Sequence, residues 1–141
     1  MGEAMTTYGK LPQIARYFLL SLLVDLANDR NFRRCFKAAH RELHHFFWKM
    51  KRGEETKGFV ADLLFDTNGN FPHSEKIDEI LQEFQLSGIL SRPNPTYRYN
   101  DIAIMSSSSA DEFRKNLNAE KKVVYDRALE EFKTELGVRD V

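Results

Sequence analysis

The sequence is short of the residues that staple or anchor a chain. Among 141 residues there is one cysteine, Cys35, so no intramolecular disulfide can form. The fold is therefore expected to rest on its core, and the chain fits a reducing, cytoplasmic compartment. It also lacks a long apolar run. The most hydrophobic stretch, YFLLSLLV from Tyr17 to Val24, is bounded by Arg16 and Asp25 and falls far short of the ~20 apolar residues that a bilayer span requires. It reads as a buried helix, and no membrane partner is expected. Glu3 near the start and the lack of an A-x-A site before Asp25 argue against a signal peptide. A phosphate loop, a nucleophile elbow and a dinucleotide fingerprint are all missing. No enzyme activity, catalytic residue or cofactor is expected.

What is present is an ordinary globular composition with many aromatics: 42% hydrophobic, 30% charged and eleven phenylalanines. The length suits one domain with a core of its own. The reading is a single α+β domain over 1–141, predominantly helical, with residues 1–10 a flexible start. Leu11, Ile14, Phe18, Leu22 and Leu26 recur at helical spacing, with Leu19, Leu20, Leu23 and Val24 on further faces, as in a central core helix. Asn28 and Asp29 offer caps. Phe32, Phe36, Ala39, Leu43, Phe46, Phe47 and Met50 then step by four and three, predicting a second long helix. Lys51 to Gly58 reads as a loop. FVADLLFD, at 59–66, fits a strand or a short helix, and Thr67 to Asn70 (TNGN) is turn chemistry.

The second half predicts a helix with Ser74 as N-cap and Ile77, Ile80, Leu81 and Phe84 as its apolar face. Gly88 ends it in the left-handed conformation. Ile89 and Leu90 then begin a strand, Pro93, Asn94 and Pro95 form a tip, and Tyr97, Tyr99 and Ile102 alternate on the return. Helix and hairpin together are winged-helix-like. Ser106 to Ser109 form a linker, and Ser109 with Glu112 matches a capping box for a long C-terminal helix over 110–137, stopped by Gly137. The core is expected to gather Phe18, Leu22, Phe36, Leu43, Phe47, Ile77, Ile80, Leu81 and Phe84.

The net charge is zero but segregated. Between Asp29 and Arg52 eight basic residues stand against two acids, and between Gly53 and Leu90 eight acids stand against two lysines. On a helix over 30–52, Arg30, Arg34, Lys37, Arg41 and His45 share one flank that Arg52 continues. Such a face suits nucleic-acid phosphates, with Arg92 and Arg98 of the hairpin as further contacts. The helix after Ser74 carries Glu75, Asp78, Glu79 and Glu83 against Lys76 alone, the wrong sign for a helix entering a major groove.

His40 and His44, one turn apart and followed by His45, have a spacing that can share a metal. HRELH places its glutamate in the wrong position for the H-E-x-x-H of zinc proteases, and no third ligand follows, so no metal is expected. Arg34 and His40 resemble the R-x4-6-H pattern of HEPN-type ribonucleases, a resemblance that would imply RNA cleavage, with Cys35 where that family has a polar residue. Cys35 itself reads as a buried structural thiol, because no acid is placed to orient a histidine for it.

The run from Phe65 through Leu90, above all NGNFPHSEKIDEILQEFQLSGIL, resembles the segment of Panacea-type domains in which an aromatic-Gly-Pro-aromatic-Ser turn starts a helix ending in Gly-Leu-Ile. Here Gly69, Phe71, Pro72 and Ser74 are present in a different order. The resemblance implies a regulatory or toxin-neutralising, partner-binding role of the kind found in phage proteins and antitoxins. Two functions follow as expectations: a non-enzymatic protein-binding module on a winged-helix-like scaffold, or a nucleic-acid-binding protein using the basic 30–52 helix. Homo-oligomerisation is left open.

Overall fold

The computed structural model describes residues 13–37, 40–91 and 99–140. The expected flexible start and the hairpin tip, with Arg92 and Arg98, lie outside them. The first helix, α1 (Ile14–Ala27), is apolar on nearly every side and buries ten of its fourteen residues. Phe18 is fully buried, stacked on Phe59 at 4.8 Å and edge-on to Phe47 and Tyr125. Burying such a ring contributes about 1.5–3 kcal/mol, so the phenylalanine-rich composition is spent in the core.

After α1 the chain departs from the expected long helix. Asp29 Oδ1 accepts from Asn31 N–H at 2.9 Å, and Phe32 N–H donates to the Asp29 carbonyl, a side-chain-supported turn that redirects the backbone. Phe32–Lys37 is then a strand, β1, and the helix, α2, runs only over His40–Arg52. Phe32 and Phe36, four apart, suit a strand face as well as a helix face, because four is an even step. β1 lies inside a sheet of order β2-β3-β1-β4, in which β2 is Leu90–Ser91, β3 is Tyr99–Ile102 and β4 is Gly137–Arg139. All its pairings are antiparallel. Phe32 faces Arg139 and Phe36 faces Gly137, so β1 bulges against β4. That bulge leaves Arg33 and Arg34 both exposed.

Residues 59–66 open in a short 3-10 helix, Lys57–Val60, and continue as mostly irregular chain, so the short-helix alternative holds at Phe59 and Val60 and no extended strand forms. The helix α3 (Glu75–Leu86) buries Ile77, Ile80, Leu81 and Phe84 as expected. Gly88 follows with φ 83°, and β2 pairs with β3 through Leu90 and Ile102. Within β3, however, the buried pair is Asn100 and Ile102, and Tyr99 turns to the other face.

The expected single last helix is two, α4 (Ser108–Lys115) and α5 (Ala119–Leu136). The cap is Ser107, whose Oγ accepts from Ala110 N–H, in place of the Ser109–Glu112 box. Asn118 restarts the chain by accepting from Lys121 N–H. A closed ring of donors ties these helices to α1: Arg114 donates to Ser21 Oγ and Asp25, Ser21 to Tyr125 Oη at 2.6 Å, and Tyr125 to Asp25 at 2.6 Å. α5 is fastened to α2 by Lys49, which meets Glu131 at 2.6 Å and also Glu135. The nine residues expected in the core are all buried. Among the described residues no helix is long and apolar enough to cross a membrane.

Candidate functional site

The best-built polar region lies where the TNGN loop meets the start of α3. Asp66 and His73 exchange backbone hydrogen bonds in both directions, at 2.8 and 2.9 Å, and close the loop as an antiparallel bridge. Asp66 Oδ1 also accepts from Asn68 N–H, which holds the turn. The loop is then pinned by a clamp. His73 Nε2 reaches Asp78 Oδ2 at 2.7 Å, His44 Nε2 reaches Asp78 Oδ1 at 3.1 Å, and the two imidazoles stack at 4.6 Å.

Ser74 N–H donates to His44 Nδ1 at 3.0 Å, so that nitrogen offers its lone pair. Neutral His44 then carries its proton on Nε2 and donates it to Asp78. Burial alone would raise the Asp78 carboxyl, but the hydrogen bonds from His73 and His44 outweigh it and hold the group below its ordinary range. Ligand atoms of His44, His73 and Asp78 all lie within 4.8 Å of one another. A metal on His44 Nε2 would nonetheless have to displace that proton while Nδ1 stays an acceptor, whereas metal-bound imidazoles use the second nitrogen as a donor. The triad is better suited to clamping α2, the loop and α3 than to coordination.

Two hollows flank the clamp. One, of about 670 Å³, is lined by Lys37, Arg41 and His45 together with Glu42, Phe71 and Glu135. The other, of about 460 Å³, is acidic: Asp62, Asp66, Glu75 and Glu79 line it with Leu64, His73, Ser74 and Lys76. A smaller hollow of about 300 Å³ shares Lys76 and Glu79 with it and reaches Leu86. The surface is therefore continuous along α3 from Leu64 to Leu86, leucines that are 82% and 84% exposed. Glu83 on this side is paired with Arg16 at 2.8 Å, while Glu75 and Glu79 are exposed.

The basic residues singled out by sequence do not form one helical flank. Arg30 is in the turn after α1, Arg34 and Lys37 are on β1, and Arg41 and Arg52 are on α2. Arg34 approaches Met105 Sδ at 3.1 Å, and the Arg52 guanidinium lies 4.6 Å from the Trp48 ring centre. Lys37 and Arg41 do come together, in the larger hollow. Cys35 is buried, and its thiol is pushed up first by burial and then by Asp101, as a structural thiol should be. Sequence reasoning passed over Asp62, His73 and Asp78 as a group. The available signal was His73 just before the Ser74 cap, with Asp78 one turn inside the helix.

This fold and site define an α+β, mainly helical protein with an acidic, leucine-flanked helix face. No family model, no curated protein and no solved structure matches the chain.

Proposed function

We propose that the protein is a non-enzymatic regulatory module that binds another protein through the exposed face of α3, on a winged-helix-like scaffold. The observation that carries this is the pair of nearly bare leucines, Leu64 and Leu86, at the two ends of an acidic surface. Exposed leucines are individually ordinary, but two on one continuous surface add about 1.5–3 kcal/mol each when a partner covers them. The carboxylates between them repel phosphate and select a partner with basic residues. The Panacea-type resemblance over the same residues implies a role of this kind.

The test places a photo-crosslinking amino acid at Leu64, at Leu86 and, as a control, at Val123 on α5, which is 58% exposed. In the native host the two leucine positions are expected to capture a common protein and Val123 is not. Glu75→Lys with Glu79→Lys should abolish the capture without changing the circular dichroism spectrum. Capture of the same products at all three positions, or of none, rejects the reading.

A second reading has one observation in its favour: Lys37, Arg41 and His45 line one hollow beside Phe71, an arrangement that suits a phosphate and a stacked base. Glu42 and Glu135 in the same hollow oppose it.

A further inference from the structure

We infer that the acidic hollow is a socket for one cationic side chain, arginine or lysine, of the bound protein; this rests on the protein-binding reading above. Among the described residues, two buried side-chain polar atoms have no hydrogen-bond partner, Asp62 Oδ2 and Ser74 Oγ. Both residues line this hollow. Ser74 is only 1% exposed and, although it stands at the N-cap of α3, its hydroxyl makes no capping bond. A buried oxygen without a donor is a cost that folding has already met, and a ligand that supplies the donor recovers it.

The Asp62 carboxylate is fixed in direction. Its Oδ1 accepts from Ala15 N–H in the first turn of α1 at 3.0 Å, which leaves Oδ2 as the carboxylate oxygen that lacks a donor. Four carboxylates line the hollow against one ammonium, that of Lys76, while His73 Nε2 is engaged by Asp78. A guanidinium supplies five donors in a fork and an ammonium three, and neither brings an acceptor to compete. A neutral amide brings fewer donors and no charge to answer the acids. Leu64, on the lining and largely in water, offers apolar cover for the methylene stem that both side chains carry.

The experiment uses the whole chain and blocked single residues. N-acetyl-arginine amide is titrated into ¹⁵N-labelled protein, with N-acetyl-citrulline amide, its neutral isostere, as the control. Saturable amide shifts confined to residues 61–66 and 73–76 are expected with arginine and not with citrulline. Asp62→Asn retains an oxygen for Ala15 N–H and should weaken binding about tenfold. Glu79→Gln, on an exposed residue, should weaken it less and serves as the second variant if Asp62→Asn perturbs the fold. Equal shifts with citrulline, no saturable shift, or arginine affinity unchanged in both variants overturns the socket. If arginine fails here while Leu64 and Leu86 still capture a partner, the socket is wrong and the protein-binding reading survives. If arginine binds but no partner is captured, the hollow still takes a cationic side chain, and what falls is the protein-binding reading that assigned that side chain to a partner.

Discussion

At the scale of single residues, the core is held in part by polar groups that cannot be removed cheaply. Tyr125 is fully buried, and burial, followed by the charge of Asp25, pushes its phenol far up, which keeps the proton that its hydroxyl donates to Asp25. Tyr125→Phe leaves Ser21 and Asp25 each without one partner and should cost about 2 kcal/mol in urea unfolding. Asp29 and Lys133 make a different case. The Lys133 ammonium at 2.7 Å, then Asn31 N–H, hold the Asp29 carboxyl below its ordinary 3.8. Burial would lower Lys133, but Asp29 outweighs it and raises it above 10.5.

A lowered carboxyl contributes stability above its ordinary value and loses it as pH falls through the folded one. A raised ammonium contributes below its ordinary value and loses it only as pH rises through the folded one. Lys133→Met should thus be less stable than the native chain by roughly 1 kcal/mol across the neutral range. That gap should shrink in acid below the ordinary aspartate value. A series of denaturant midpoints against pH checks both limbs.

At the scale of elements, Gly137 shows why a helix stop is also a packing decision. A Cβ there would lie 2.6 Å from the Lys133 carbonyl oxygen and 2.7 Å from the Phe32 ring. Gly137→Ala should destabilise by about 1–3 kcal/mol, measured by thermal unfolding. Gly137 as the stop was legible in the sequence, as were α1, the apolar face of α3 and the positive-φ Gly88. Each depends on local chemistry: apolar periodicity, or a glycine where the chain must turn.

The rest was not legible because it depends on partners distant in sequence. Nothing local tells Phe32 and Phe36 to join a strand; Asn100 and Gly137, which pair with Phe36, decide it. The split between α4 and α5 hides because Phe113, Leu117 and Val124 keep helical spacing through Asn116 and Asn118. Asn118→Ala should lower stability by about 1 kcal/mol, and no change in the unfolding midpoint would show that the cap is idle. The site was legible in its charge but not in its geometry: Asp62 finds Ala15, and His44 finds Ser74, only once the core has closed.

At the scale of the molecule, the charge map separates the two readings of function. If the hollow of Lys37 and Arg41 binds duplex nucleic acid, the affinity should fall with a log–log salt slope near −0.9 per phosphate neutralised, and Lys37→Ala with Arg41→Ala should flatten it. With Glu42 and Glu135 in the same hollow, fluorescence anisotropy is expected to show no submicromolar binding at physiological salt. Submicromolar binding abolished by that pair of substitutions would promote the nucleic-acid reading over the protein-binding one.

The position of β1 sets the order in which the chain can finish folding. This strand arrives with residues 32–37, but its neighbours come from 99–102 and 137–139. During synthesis one edge of β1 waits for residues 99–102 and the other for residues 137–139, so sheet closure is a late, non-local event with slow kinetics. A chain truncated before Gly137 keeps β1 with one bare edge, open to pairing with the same edge of another copy. Truncation there should therefore show itself first as aggregation of nascent or newly released chains, before any binding defect can be measured.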